Sequence, residues 1–187
     1  NEWYFRVIPG NALEARFVAN YINKSMKKRL ASIIYTNDNY GISLTEHFEK
    51  AVESMGMALA GKWIWNKDQP PDGQVKKILG GLSVTEDPGI IFFATHSSEG
   101  VKIITGMNHT GKSYPIIGSY AFARNFLHEL KTLKHSEPGY NTERISFVTP
   151  FMTGIGGKNT FDFRKAFYKK YGEFPGATAA CYYDAIH

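Results

Sequence analysis

Short apolar runs alternate along almost the whole chain with stretches in which apolar residues recur every three or four positions. The short runs are rich in β-branched and aromatic residues, and they predict six strands: Trp3–Ile8, Leu30–Tyr35, Ala58–Trp65, Gly89–Ala94, Tyr114–Gly118 and Ile145–Thr149. The periodic stretches predict helices: Ala12–Met26, Ser43–Met55, Gln74–Leu82, Ser98–Met107, Ala121–Leu133, Phe161–Tyr171 and a last one from Ala177 onward.

Two of the predicted strands, Leu30–Tyr35 and Gly89–Ala94, are almost uninterrupted apolar runs. This is typical of central parallel strands that helices cover on both faces. Strand, helix and strand at this spacing favour right-handed βαβ units. We therefore predict an α/β fold: a three-layer α/β/α sandwich with a mainly parallel sheet of about six strands. No repeat or composition break divides the chain, so residues 1–187 are predicted to form a single lobe.

Composition and charge exclude several classes of protein. Of the 187 residues, 43% are hydrophobic and 21% are charged, which is typical of a globular domain. The net charge is +5, but the basic residues are scattered, whereas a nucleic-acid binder concentrates them on one face. Cys181 is the only cysteine, so the chain forms no internal disulfide. No apolar stretch approaches the ~20 residues that span a bilayer.

Open α/β sheets bind ligands beyond the carboxyl ends of their strands. Three loops leave such ends in the predicted order: Thr36–Gly41, Thr95–Glu99 and Ser119–Phe122. Each carries polar or aromatic side chains, and no G-x-G-x-x-G follows any strand, which disfavours a dinucleotide cofactor. Gly154–Asn159 lacks the spacing and the Ser or Thr of a phosphate loop. We predict no cofactor.

Motifs for catalysis and metal binding are missing from the sequence. The six histidines have no partners at metal-ligand spacing, and no serine lies in a G-x-S-x-G turn. Asp38 follows a strand as a phospho-acceptor would, but the first strand offers no acidic pair. His96 follows the most apolar strand, and it either contacts a ligand or stabilises its loop with a hydrogen bond. We predict no catalytic residue and no metal site, and a protein that is not an enzyme.

Several segments in order resemble the type I periplasmic solute-binding proteins, in the branch of branched-chain amino acid and amide receptors. The segments are Tyr4–Pro9, Leu30–Tyr35 with the turn Asn37–Gly41, Pro115–Ser119, and a closing pattern of Phe167, Tyr171, Gly172, Pro175, Ala180, Tyr183, Asp184 and Ala185. Members of this family enclose a ligand between two lobes joined by crossover strands. The resemblance implies that this chain is the second lobe alone, with crossover segments near both ends.

The resemblance also implies which residues contact the ligand. They are the tyrosine before the glycine, the loop after the GIIFFA strand and the residues after the fifth strand: Tyr40, Thr95, His96, Ser97, Ser119 and Tyr120. Asp38 is a further candidate, through its carboxylate. Amino acid binders of the family often have an acid at the position of Tyr120, to pair with the ligand's ammonium group. Tyrosine cannot supply that charge, which argues against an α-amino acid ligand and leaves amides, ureas, aromatic acids and other small polar solutes open.

By this resemblance, the chain binds a small polar solute in the periplasm or outside the cell and closes about a hinge. The expected partner is the membrane permease of an ABC importer of the amino acid or amide type. Two alternatives stay open: the ligand-sensing domain of a transmembrane receptor, whose partner is a signalling module, and a cytoplasmic α/β enzyme built on the same sheet. No nucleic-acid partner is expected.

Overall fold

Strands and helices alternate through the computed structural model, which describes residues 8–131 and 144–186. The strands are β1 (Leu30–Thr36), β2 (Ala58–Trp65), β3 (Ile90–Ala94), β4 (Ile116–Gly118) and β5 (Ile145–Phe147). The helices are α1 (Asn11–Asn20), which continues into a π-helical turn (Tyr21–Ser25), α2 (Asn39–Ser54), α3 (Pro71–Val84), α4 (Ser97–His109), α5 (Tyr120–Ala123), α6 (Phe126–Lys131), α7 (Lys158–Tyr171) and α8 (Ala177–Ile186).

The five strands form one sheet in the order β2-β1-β3-β4-β5, and every neighbouring pair is parallel. Successive residues of β3 point to opposite faces, so Phe92 and Phe93 enter different cores. Phe92 packs with α1 and α2 residues such as Phe48, and Phe93 packs with α3 and α4 residues such as Ile78. The predicted three-layer α/β/α sandwich with a parallel sheet is therefore confirmed. The predicted strand Trp3–Ile8 lies, except for Ile8, outside the described residues.

One predicted helix is different in the structure. The expected continuous helix Ala121–Leu133 is two short helices, α5 and α6, within the described residues. A continuous helix would bond the Asn125 N–H to the Ala121 carbonyl. Here Ser97 Oγ accepts from the Asn125 N–H at 3.1 Å and donates to the Phe122 carbonyl at 2.8 Å, so a side chain from α4 interrupts the helix.

The chain divides into two compact units, and the sheet lies in the unit Asn11–Val148. The other unit combines Asn1–Gly10 with Thr149–His187 and contains α7 and α8. No residue of α7 is buried, and Ala180 is the buried residue of α8. Aromatic pairs join these two helices, with the rings of Phe163 and Tyr183 4.6 Å apart. The prediction of a single lobe over residues 1–187 stays a prediction.

We expect Gly41→Ala to lower the free energy of unfolding by about 1–3 kcal/mol, the usual effect of overpacking. A Cβ on Gly41 would lie 2.3 Å from the carbonyl oxygen of Thr36 and 2.6 Å from its Oγ1. The control is Gly80→Ala in α3, where a Cβ meets nothing within 4 Å. Alanine in a helix should be neutral or stabilise by about 0.5–1 kcal/mol. Urea denaturation of both variants checks this, and an unchanged Gly41→Ala midpoint would contradict the turn geometry.

Candidate functional site

The candidate ligand-binding residues lie at the carboxyl ends of three neighbouring strands. Asp38 and Tyr40 follow β1, Thr95 to Ser97 follow β3, and Ser119 and Tyr120 follow β4. Since β3 pairs with both β1 and β4, the three loops meet at one edge of the sheet. We call this edge, defined by Asp38, Tyr40, His96, Ser119 and Tyr120, the strand-end site.

Asp38 is the most connected side chain of the strand-end site. Its Oδ1 caps α2 by accepting from the Gly41 N–H at 2.8 Å, and it also accepts from Thr36 Oγ1 at 3.0 Å. Its Oδ2 bonds His96 Nε2 at 2.9 Å and pairs with Lys67. Partial burial raises the pKa of the Asp38 carboxyl, but the bonds from Gly41, Lys67, His96 and Thr36 outweigh burial and hold that pKa well below its usual range.

His96 precedes α4 and joins two of the strand-end loops. Its ring bonds Asp38 on the loop after β1, and its centroid lies 5.6 Å from that of the Tyr40 ring. The expected hydrogen bond that stabilises the loop is therefore present. The side chain is also 41% exposed, so part of the imidazole is accessible to solvent. This geometry is compatible with both expected roles of His96, contact with a ligand and stabilisation of its loop.

Tyr40 and Tyr120 are partly exposed residues that share a buried acid. Glu14, on α1, accepts from the backbone N–H of Tyr120 through Oε1 at 2.7 Å and from the Tyr40 hydroxyl through Oε2 at 3.4 Å. Burial raises the pKa of the Glu14 carboxyl, and the hydrogen bonds from Tyr120 and Tyr40 partly offset that effect. Burial and the nearby carboxylate of Glu14 together raise the pKa of the Tyr40 hydroxyl, so Tyr40 is a neutral donor at physiological pH.

The three hydroxyl-bearing candidates Thr95, Ser97 and Ser119 are buried. Ser119 Oγ donates to the Thr95 carbonyl at 3.2 Å and accepts from the Phe122 N–H at 3.3 Å, and so caps α5. Ser97 Oγ is occupied by the α5–α6 turn. Thr95 Oγ1 is fully buried and has no hydrogen-bond partner among residues 8–131 and 144–186. These side chains support the strand-end loops from below, while Tyr40, His96 and Tyr120 reach the surface.

Two residues that bear on the strand-end site were not among the sequence-based candidates. Lys67 follows the end of β2 and pairs with Asp38. The rule that open α/β sheets bind ligands beyond the carboxyl ends of their strands could therefore have predicted it. Glu14 lies on the helix before β1. No spacing in the sequence connects Glu14 to Tyr120, because the contact arises only when the sheet forms.

The part of the chain that the structure describes contains no group of three or more His, Cys, Asp or Glu side chains that could hold a metal ion. No helix among residues 8–131 and 144–186 is long and apolar enough to cross a membrane.

Solved structures of transporter-associated binding proteins share this fold. An ABC transporter substrate-binding protein from Desulfitobacterium hafniense matches with a TM-score of 0.74 at 23% identity, over 97% of this chain and 49% of its own. The branched-chain amino acid transporter substrate binding protein LivJ from Streptococcus pneumoniae, solved in complex with isoleucine, matches with a TM-score of 0.73 at 19% identity, over 95% and 48%. A leucine binding protein LivK from Thermotoga maritima matches with a TM-score of 0.70 at 16% identity, over 94% and 47%.

The chain therefore spans about half the length of the solved structures that it matches. No protein-family model matches it, and no curated protein matches it. The matched structures are substrate-binding proteins rather than enzymes. At this level of identity the likeness establishes the fold, and the fold is that of about half of a type I periplasmic binding protein, as the sequence resemblance implied.

We expect Asp38→Asn to remove part of the acid sensitivity of the fold. A carboxyl whose folded pKa is lowered stabilises the fold above its unfolded pKa of about 3.9, and that contribution is lost as the pH falls through the folded pKa. Asparagine keeps the cap on α2 but not the charge. The melting temperature of the wild type should therefore exceed that of Asp38→Asn at pH 7, and the two should converge towards pH 2.

The control for this comparison is Asp162→Asn, which removes an exposed carboxylate paired with Lys158 at 2.7 Å on α7. Exposed pairs of this kind contribute little, so its melting curve should follow the wild type. Asp38→Ala, which also removes the cap, should lower the free energy of unfolding by about 1 kcal/mol at pH 7. A difference between wild type and Asp38→Asn that grows as the pH falls would contradict the network described for Asp38.

Proposed function

We propose that this chain supplies a ligand-binding lobe of a periplasmic or extracellular solute-binding protein that serves an ABC importer of the amino acid or amide type. One observation carries the proposal: Tyr40, His96 and Tyr120 reach the surface together at the carboxyl edge of a parallel sheet. Such an edge is where open α/β sheets bind ligands. The lobe in question is the unit Asn11–Val148, which contains the sheet.

The chemistry of the strand-end site suits recognition better than catalysis. Its aromatic rings offer flat contact area, and the Tyr40 hydroxyl stays protonated because burial raises its pKa. Asp38, the acid that could act as a base, has its pKa held low by four hydrogen-bond donors, so it is a weak proton acceptor at neutral pH. Neither group is activated for proton transfer or nucleophilic attack. This argues against the cytoplasmic enzyme considered from the sequence.

The charges at the strand-end site also narrow the class of ligand. The Asp38 carboxylate is already paired with Lys67 and bonded to His96, and residue 120 is tyrosine rather than an acid. A site whose charges are internally paired suits a polar solute without a net charge: an amide, a urea, a neutral amino acid or a related small molecule. A second Desulfitobacterium hafniense structure of this kind is a complex with leucine, and the LivJ structure is a complex with isoleucine, which makes these amino acids the first probes.

The proposed mechanism is hinge closure. A ligand that contacts residues of two lobes stabilises the closed arrangement by the difference between its affinities for the closed and the open state. Tyr40, His96 and Tyr120 would supply one side of that contact. A membrane permease would then recognise the closed form. A receptor sensor domain would use the same closure, so the strand-end site does not favour one of these uses over the other.

A thermal-shift screen of amino acids, amides, ureas and aromatic acids tests the proposal, with this chain and with the full product of its gene. Saturable stabilisation without conversion of the compound is expected, because a ligand that binds only the folded state raises its stability. Turnover of a compound that His96→Ala abolishes would instead identify an enzyme. Absence of any stabilisation by the full gene product would overturn the proposal.

For a compound that binds, we expect Tyr40→Ala and Tyr120→Ala each to weaken affinity at least about tenfold, which corresponds to ~1.4 kcal/mol. The control is Tyr182→Ala on α8, where the side chain is 70% exposed in the unit without the sheet. Calorimetry gives the affinities, and circular dichroism establishes that each variant is folded. Unchanged affinity in both folded variants would place the ligand elsewhere.

A further inference from the structure

Helix α1 has an acid on its buried side and apolar residues on its exposed side. Glu14 is only 8% exposed and sits among the buried residues Ala15 and Val18. Leu13 and Phe17 on the same helix are 61% and 56% exposed. The rest of that buried side is apolar, formed by Ala15, Val18 and Ala19, so hydrophobic burial explains the orientation of the helix but not a carboxylate within its buried side. Some other interaction must therefore keep Glu14 inside.

The two hydrogen bonds of Glu14 join the loop after β1 to the loop after β4, where the Tyr40 side chain also interacts with Ser119 and the backbone of Ala121. Tyr40 begins α2 after β1, and Tyr120 begins α5 after β4. Strand β3 lies between β1 and β4, so these two loops leave the sheet about 10 Å apart. The carboxylate of Glu14 bonds both, at 2.7 Å to the Tyr120 N–H and 3.4 Å to the Tyr40 hydroxyl. One side chain thus links the two tyrosines across the strand-end site.

No ion pair within the described residues explains why Glu14 is buried. None of the ion pairs found in residues 8–131 and 144–186 includes it. A buried carboxylate without a cation costs free energy, and its pKa is raised for that reason. Two hydrogen bonds to neutral donors compensate only in part. The burial of Glu14 therefore destabilises the fold, while its hydrogen bonds define the geometry around Tyr40 and Tyr120.

We propose that Glu14 is a positioning residue of the strand-end site, whose carboxylate sets the placement of Tyr120 relative to Tyr40. The proposal rests on the proposed function in one respect: it takes the two tyrosines as the ligand-facing groups. It differs from the acid of the amino acid binders, which would occupy position 120 itself and touch the ligand. Glu14 acts through the tyrosines and lies beneath them.

The first test uses the free chain, so its outcome does not depend on any ligand. Glu14→Ala removes both hydrogen bonds, whereas Glu14→Gln keeps an acceptor for the Tyr120 N–H and a polar group for Tyr40. Exchange of the Tyr120 amide, followed by NMR, should be at least about tenfold faster in Glu14→Ala and close to wild type in Glu14→Gln. The Phe92 amide in β3 reports on the fold and should stay protected. A Tyr120 amide that remains protected in Glu14→Ala would overturn the proposal.

The second test is a pH profile of stability, which a purely steric role would not produce. Tyr40 is the titratable group that the described contacts bring against Glu14. A carboxyl with a raised folded pKa stabilises most fully below its unfolded pKa, about 4.3, and the contribution is lost as the pH rises through the folded pKa. Glu14→Gln should therefore melt at a higher temperature than wild type at pH 8, and the difference should close towards pH 4.

The control for the pH profile is Glu53→Gln, which changes an exposed glutamate on α2 and should shift the melting temperature by the same small amount at every pH. A Glu14→Gln variant that melts below wild type at pH 8 would show that the charge itself stabilises the fold. That result would overturn the positioning role, because the carboxylate would then have a stabilising partner of its own.

Binding separates this inference from the proposed function. With leucine, isoleucine and acetamide as probes, Glu14→Gln should bind within about threefold of wild type and Glu14→Ala about tenfold more weakly. Equal, large losses in both variants would mean that the carboxylate charge contacts the ligand, and positioning would be wrong. If wild type binds no probe, the proposed function loses support, while the amide exchange result still decides the placement of Tyr120.

Discussion

The complete burial of β3 governs the rest of the structure. All five of its residues are buried, and Phe92 and Phe93 project into different cores. A strand covered on both faces requires helices on both sides of the sheet, and parallel neighbours require those helices as crossovers. The carboxyl ends of β1, β3 and β4 consequently open at one edge. The hydrophobic effect thus fixes the position of the strand-end site, and the loop residues determine which side chains lie there.

Charge pairing then determines what that edge offers to a ligand. Asp38 caps α2, bonds the hydroxyl of Thr36 and reaches His96 and Lys67, so it connects the loops after β1, β3 and β2. A carboxylate held by four donors is a structural anchor with little spare acceptor capacity. The partly exposed rings of Tyr40, His96 and Tyr120 remain at this edge, and under the proposed function they would contact the ligand. This division between a charged support and a neutral surface favours a small polar solute over an ion.

The sequence predicted the parts of the fold that depend on local pattern. Uninterrupted apolar runs predicted β1 and β3, and periodic apolar residues predicted α2 and α4. Burial can be predicted in this way because the residues that an element buries recur along the sequence in a characteristic pattern. The break between α5 and α6 left no such trace, since it depends on Ser97 from another helix. For the strand-end site, chain position after a strand selected Asp38, Tyr40 and His96. Whether they bind a ligand stays a prediction.

Helix α1 shows where a pattern argument fails for a physical reason. Of the apolar residues that predicted its buried face, Val18 and Ile22 are buried, whereas Leu13 and Phe17 are exposed and Glu14 is buried with the apolar residues. A helix can present only one side to the sheet, and here the side chosen is the one that brings a carboxylate to Tyr40 and Tyr120. A buried polar side chain in an otherwise apolar helix face is expected mainly at functional sites, where the side chain has a role besides stability. The burial of Glu14 in an otherwise apolar face of α1 therefore concerns the strand-end site as well as the core, and the pattern of α1 alone could not have predicted it.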